Sequence, residues 1–270
     1  MPAEDRSPIT SPKNPRVRAA AALRDRSARE AAGRTLIDGV RELDRALSGG
    51  AVVDTVFVDP DRVGDDVEAR AVVDRARATG ASIVEAASAV LDRLAYGDRS
   101  EGLVAVVVIP DTSLGGVHLP KNALVVVLEG VEKPGNLGAV LRSADAASAD
   151  AVVVADARTD LFNPNAIRAS LGTIFAVPVA TGSSAEVRAW LDMYGVQVLA
   201  ARVGARHAYT DVDMTGPVAL VLGAEAQGLT DAWSGDAITP ISLPMRGVAD
   251  SLNVSITAAV LLYEARRQRG

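Results

Sequence analysis

The 270-residue chain contains no cysteine, which excludes disulfides, thiolate metal sites and thiol nucleophiles together. Its two histidines, His118 and His207, lie far apart, and neither has a second histidine or a carboxylate at a spacing such as His-Glu-x-x-His. No metal site is therefore expected. Aromatic residues make up only 3% of the chain, and the first 50 residues contain no Phe, Tyr or Trp, so that stretch has no rings on which bases could stack. No apolar run reaches the roughly 18 residues of a spanning helix, and the opening MPAEDRSPITSPKNP lacks the apolar core of a signal peptide. The expected location is the cytoplasm, without membrane contact. What the chain does have is 49% hydrophobic and 23% charged residues, the composition of a folded globular protein, and enough length for one large or two modest domains.

The net charge of -6 argues against a nonspecific nucleic-acid binder, but the charge is unevenly placed. Between Ser11 and Arg34 stand seven basic residues (Lys13, Arg16, Arg18, Arg24, Arg26, Arg29, Arg34) against two acidic ones, Asp25 and Glu30, a local +5. Such an arm either neutralises phosphates or is a solvated helix face. Without aromatic rings, any RNA contact it makes is to backbone phosphates and shape.

Periodicity predicts a small α/β unit first. Leu36, Val40, Leu43 and Leu47 form a helix face closed by Gly49-Gly50. A strand at 52–58, a helix at 67–78, a short strand at 82–84 and a buried strand at 103–109 follow. Residues 111–122 concentrate Pro, Gly, Ser, Thr and Asp, the composition of a linker. The expected division is a domain at 1–110, the linker at 111–122 and a second domain at 123–270. In the second domain apolar runs at 124–128, 152–155, 174–179, 196–200, 218–222 and 238–243 alternate with helical or mixed segments. That alternation predicts a mainly parallel sheet covered on both faces, with its site at the carboxyl ends of the strands.

Three constellations follow such strands. The first, Glu129-Gly-Val-Glu-Lys-Pro-Gly-Asn-Leu-Gly-Ala-Val-Leu-Arg142, turns into a helix with Leu137, Val140, Leu141 and Ala144 on one face and Asn136 as candidate cap. Gly130-x4-Gly135 has the spacing of a phosphate loop, but Asn136-Leu137 replaces the required Lys and Ser or Thr, which disfavours a nucleotide triphosphatase. The second, Leu222-Gly-Ala-Glu-Ala-Gln-Gly-Leu229, has two glycines that let backbone approach a ligand. The third runs Ile241-Ser-Leu-Pro-Met245 and then Asp250-Ser-Leu-Asn-Val-Ser255, into a helix whose face is read as Leu252, Ile256, Ala259, Val260 and Tyr263, with Ser251 or Asn253 capping. Each alone also fits an ordinary turn or cap.

Together, Asn136-x-Gly138-x3-Arg142, Leu222-Gly-x-Glu225-x2-Gly228 and Leu243-Pro-Met with Ser251-Leu-Asn253-Val-Ser255 resemble the three signatures of the SpoU/TrmH family of RNA ribose 2'-O-methyltransferases. Ser11-Pro-Lys-Asn-Pro and the arginines after it are similar to the start of that family's ribosomal-protein-like, substrate-binding amino-terminal domain. One departure is Leu36-Ile-Asp-Gly39, with Asp where the family often has Glu.

The resemblance implies an α/β fold of two parts, the second an α/β-knot (SPOUT) domain with a deep trefoil knot. It also implies a homodimer with the active site at its interface and S-adenosylmethionine as cofactor. Carried over by position, the cofactor contacts are Leu222, Gly223, Glu225, Gly228, Ile241, Leu243, Met245, Ser251 and Leu252. The catalytic set is Asn136, Arg142, Glu225, Ser251 and Asn253, and the RNA contacts are Lys13, Arg16, Arg18, Arg24 and Arg26.

The implied substrate is a ribose hydroxyl of ribosomal RNA, modified for housekeeping or for antibiotic self-protection. A transfer-RNA enzyme and a noncatalytic ribosome-assembly factor are the alternatives. The family role for Arg142 is general base. A guanidinium has no acceptor and an ordinary pKa above about 12, so the competing reading has Arg142 hold a phosphate and stabilise the developing alkoxide, with the proton passing to water or Glu225.

Overall fold

A computed structural model describes residues 8–96, 101–224 and 227–270. The chain opens with α1 (Pro15–Ala22) and α2 (Arg26–Ala32). Asn14 starts α1 by accepting from the Arg16 amide, with Pro15 in the first turn. Next come β1 (Arg34–Asp38), α3 (Val40–Ser48), β2 (Val53–Val58), α4 (Pro60–Val63), α5 (Val67–Ala78), β3 (Ser82–Glu85), α6 (Ser88–Leu94) and β4 (Leu103–Val108). The sheet order is β1-β4-β2-β3; β4 runs antiparallel to both neighbours, and β2 pairs β3 in parallel. Leu36, expected on the helix face of α3, lies instead in β1. Gly39, at φ +133°, separates strand from helix and breaks the helical register that the spacing suggested.

The second half contains β5 (Leu124–Glu129), α7 (Pro134–Ala146), β6 (Ala151–Ala155), α8 (Pro164–Ala169), β7 (Val179–Gly182), α9 (Ser184–Met193), β8 (Gln197–Ala201), β9 (His207–Ala208), β10 (Val218–Leu222), β11 (Ile238–Ser242) and α10 (Val254–Arg269). Seven strands form one sheet in the order β7-β6-β5-β10-β8-β11-β9, parallel throughout. Every residue of β5, β6 and β10 is buried, as continuous apolar runs covered on both faces require. The run 174–179, expected as a strand, is split. Thr173–Phe175 is a 3-10 turn, and the strand begins only at Val179, after Pro178.

Contacts divide the chain into two units, Met1–Pro110 with Phe162–Ala176, and Asp111–Leu161 with Val177–Gly270. Residues 162–176, inside the second half by sequence, thus pack with the first unit. Thr35 Oγ1 donates to the Phe162 carbonyl at 2.7 Å, Arg45 donates to the Leu171 carbonyl at 2.9 Å, and Arg168 pairs with Asp38 at 3.0 Å. Asp38 is buried and also accepts from the Tyr96 amide. Burial pushes its carboxyl up from the ordinary range, against the lowering effect of the amide and Arg168.

Residues 111–122 pack with the second unit. Ser113 bridges Thr181 beside β7, the Thr181 amide donates to the Thr112 carbonyl, and Val117 enters that unit's core. Among the described residues no helix is long and apolar enough to cross a membrane.

Candidate active site

In the second unit, β5 leads through α7 to β6 on one side, whereas β10 leads to β11 past β8 on the other. The order in which successive strands are added therefore reverses between β5 and β10, although the two run parallel, and open parallel sheets form a crevice at the carboxyl ends of their strands at such a point. A small cavity of about 100 Å³ lies there, bordered by Glu129, Lys133 and Asn136 on one side and Gly223, Ala224 and Gln227 on the other. Beside it, the ends of β8, β10 and β11 and the start of α10 enclose a cleft of about 450 Å³. That volume is within the range of sites that take a drug-sized molecule.

Eight residues named as cofactor contacts line the larger cleft: Leu222, Gly223, Gly228, Ile241, Leu243, Met245, Ser251 and Leu252. Glu225, named in both the cofactor and the catalytic set, lies outside the described residues. The cleft also includes Ala201, Arg202 and Val203 from the end of β8, which carry no motif. Only their place at a strand's carboxyl end could have marked them.

Gly223 explains how two loop segments form one wall. A Cβ there would stand 2.2 Å from the Gly228 carbonyl carbon and 2.4 Å from the Leu229 amide nitrogen, so only glycine permits this backbone crossing. The Gly228 amide donates to the Ala224 carbonyl at 2.9 Å and holds the crossing shut.

Asn253 is the N-cap of α10, its Oδ1 accepting from the Ser255 amide at 2.8 Å and the Ser255 hydroxyl at 2.6 Å. Its Nδ2 donates to Asn136 Oδ1 at 3.2 Å, which joins the first constellation to the third. Asn136 is not a cap, because α7 begins at Pro134 and Asn136 is already in its first turn. Ser251 is exposed at the cleft. Arg142 is six residues further along α7, a rise of about 9 Å. It is exposed and borders neither cavity.

The final helix differs from its expected packing. Its buried face is Val254, Ala258, Leu261, Leu262 and Ala265, whereas Leu252, Ile256 and Tyr263 are 38%, 53% and 57% exposed. The helix is apolar on two faces, and among the described residues only one of them is covered.

In the first unit, Lys13, Arg16, Arg18, Arg24 and Arg26 are all exposed. Arg16 donates to Ser82 Oγ, Arg24 lies over the Tyr96 ring and donates to the Arg93 carbonyl, and Arg26 pairs with Glu30. Arg29, counted in the basic stretch, is instead buried and donates to the carbonyls of Leu23 and Arg24. It ties α2 to the end of α1, so the stretch is two packed helices rather than an extended arm.

A unit with a parallel sheet and a cofactor-sized cleft at its strand ends, together with a separate α/β unit with exposed arginines, defines the class as an α/β enzyme with an accessory binding unit. Residues 123–263 match the SpoU rRNA methylase family, and residues 14–105 match the MRM3-like substrate binding domain. A 23S rRNA (uridine(2479)-2'-O)-methyltransferase of Streptomyces viridochromogenes is 32% identical over 259 residues, covering 92% of this chain and 88% of that protein. A crystal structure of an RNA 2'-O ribose methyltransferase is 40% identical, with TM-score 0.83 over 97% of this chain and 99% of the other. The SpoU methyltransferase AviRb of Streptomyces viridochromogenes, solved in complex with AdoMet, is 31% identical with TM-score 0.86, over 95% and 98% of the two chains. The chain belongs to the SpoU rRNA methylase family, and its second unit has the SPOUT fold.

Proposed function

We propose that the protein transfers a methyl group from S-adenosylmethionine to a ribose 2'-hydroxyl of 23S ribosomal RNA. The observation that carries this reading is the convergence of motif residues from two strand-end loops on one cleft, with Asn136 and Asn253 hydrogen-bonded to each other. The cleft fits the cofactor. Leu222, Ile241, Leu243 and Met245 offer apolar walls for a ring, the glycine crossing exposes backbone to its polar edges, and Asp250 offers a carboxylate to a cationic ligand. The relatives reported above carry names that specify the same reaction.

S-adenosylmethionine supplies a methyl group on a sulfonium. Bound there, it would supply that methyl group to the ribose 2'-oxygen and keep the electron pair of the broken bond on sulfur, while the hydroxyl proton would pass to water. The residues' main contribution would be alignment of the ribose hydroxyl with the group that is transferred to it. Asn136 and Asn253 orient the reacting region between the two cavities, with Ser251 at the cleft edge. The distance of Arg142 from its own cleft and the uncovered stripe Leu252, Ile256 and Tyr263 both support a homodimer. In that dimer the stripe is buried against a second copy, and Arg142 of one protomer serves the cleft of its partner.

The test is transfer of labelled methyl to unmodified bacterial ribosomal RNA, followed by alkaline hydrolysis. A methylated 2'-oxygen cannot attack the adjacent phosphate, so label is expected in alkali-resistant dinucleotides. Label in mononucleotides would mean base methylation and overturn the reading. Label on transfer RNA alone would move the substrate, and cofactor binding with no label on any RNA would favour an assembly factor.

The exposed arginines of α1 and α2 are the proposed phosphate contacts. Replacing Arg16, Arg18 and Arg24 together by Ala is expected to weaken RNA binding and to flatten the log–log salt slope by about 2 to 3, at about 0.7 to 0.9 per phosphate contact. Cofactor affinity should not change. An unaltered slope in filter binding between low and moderate salt would reject these residues as phosphate ligands.

A further inference from the structure

We propose that Glu129 is a positioning residue for the cofactor loop, acting through Thr230; this rests on the cofactor reading above. Glu129 is the last residue of β5 and only 4% exposed. Its Oε1 accepts from the Thr230 hydroxyl at 2.6 Å and from the Ser184 hydroxyl at 3.0 Å, and its Oε2 accepts from the Thr230 amide at 2.8 Å. A carboxylate is kept in such a place only where hydrogen bonds replace its water. Here two of the three donors belong to one residue of the loop after β10.

The same residue is held from the other side. Arg202 donates to the carbonyls of Leu229, Thr230 and Trp233 at 2.9, 2.7 and 3.1 Å. The amide and hydroxyl of Thr230 are therefore fixed by Glu129 and its carbonyl by Arg202. Gly228 and Leu229, immediately before it, line the cleft, and Gly228 is crossed closely by Gly223. A displacement of Thr230 moves that crossing, which has no slack to absorb it. Glu129 also borders the smaller cavity, but both its oxygens are already engaged. Its role is to set the shape of the wall and not to touch the methyl group.

The network also indicates which substitution preserves the role. In Glu129→Gln the amide oxygen can accept from the Thr230 amide while the NH2 donates to the two hydroxyl oxygens. Ser184 keeps an outlet for its own proton in Asp156 Oδ2, 2.6 Å away. Glu129→Ala leaves the amide and hydroxyl of Thr230 without that acceptor, while Ser184 keeps Asp156.

The experiment measures S-adenosylmethionine affinity by calorimetry on full-length protein, with thermal melting and tryptophan emission to establish the folded fraction, and KM and kcat on ribosomal RNA. Glu129→Ala and Thr230→Val are expected to raise the cofactor Kd and KM by about tenfold or more and about fivefold respectively, with kcat at saturating cofactor within about threefold of the parent. Glu129→Gln and Thr230→Ser should restore affinity to within about threefold. A merely structural role would lower the melting temperature and the active fraction while leaving the Kd of folded molecules in place, and that result overturns the proposal. If Glu129→Ala does not fold, Thr230→Val decides, and a parental Kd in that variant overturns it equally. If the parent protein does not bind the cofactor, the cofactor reading itself fails, and this proposal with it.

Discussion

Arg142→Ala is expected to lower methyl transfer by about 10²- to 10⁴-fold, the range for removing a charge-stabilising donor or a general base, while cofactor binding stays at the parental level. The second half of that expectation follows from position, because Arg142 is exposed and borders neither cavity of its own chain. Single-turnover rates across pH separate its two candidate roles. A guanidinium acting as base must lose a proton, so the parent's rate would rise with pH through that ionisation and the dependence would vanish in Arg142→Ala. A guanidinium that holds phosphate and stabilises the alkoxide keeps its proton, so the variant is slower at every pH but has the parent's profile. The second outcome is expected, since a charged guanidinium has no lone pair to accept with. Subunit mixing then tests whose cleft the arginine serves. Equal amounts of Arg142→Ala and a cofactor-defective variant, re-associated at random, form half heterodimers with one complete site each, so about a quarter of parental activity returns. No recovery would mean that Arg142 works within its own chain, or that no dimer forms.

Gly223→Ala is expected to abolish measurable cofactor binding, with Kd raised by about a hundredfold or more, as befits a backbone crossing that must open. The added Cβ would stand 2.2 and 2.4 Å from the Gly228 carbonyl atoms, and backbone cannot step aside as a side chain can. Gly228→Ala should be milder. Nothing lies within 4 Å of a Cβ there, but the residue has φ +65°, a conformation that costs an ordinary side chain about 1 to 2 kcal/mol. Gly135→Ala, in the first turn of α7 with open space around it, should be neutral or slightly stabilising. Calorimetric titration of the three variants checks the order. Equal losses in all three would show that the crossing at Gly223 does not shape the site.

Much of this arrangement is legible in the chain itself because its signals are local. The runs at Leu124, Val152 and Val218 are too apolar to face water and became buried parallel strands, glycines directly follow β5 and β10 at Gly130 and Gly223, and Asn14, Asn163 and Asn253 cap the helices they precede. The spacing of Asn136, Gly228 and Asn253 carried the family resemblance without any coordinate. Helical periodicity failed in two places where non-local packing decided the outcome. Leu36 was drawn into β1 by pairing with Val106 of β4, a partner 70 positions away. Helical spacing places Leu252, Ile256, Ala259, Val260 and Tyr263 on the inward face of the last helix, but the helix has two apolar faces, and only the sheet and α7 could select the one containing Ala258 and Leu261.

The sequence by itself therefore determined the alternation of strands and helices, the two-part organisation expected from it and the residue types required at the loops, since propensity and burial act over a few neighbouring positions. Only the tertiary structure decided that residues 162–176 pack against β1 and α3, that Arg29 is buried, that Asn136 meets Asn253, and that Glu129 and Arg202 both hold Thr230. These contacts join positions from five to more than a hundred apart. Which buried donor meets which acceptor depends on how the sheets close, and no local pattern specifies it.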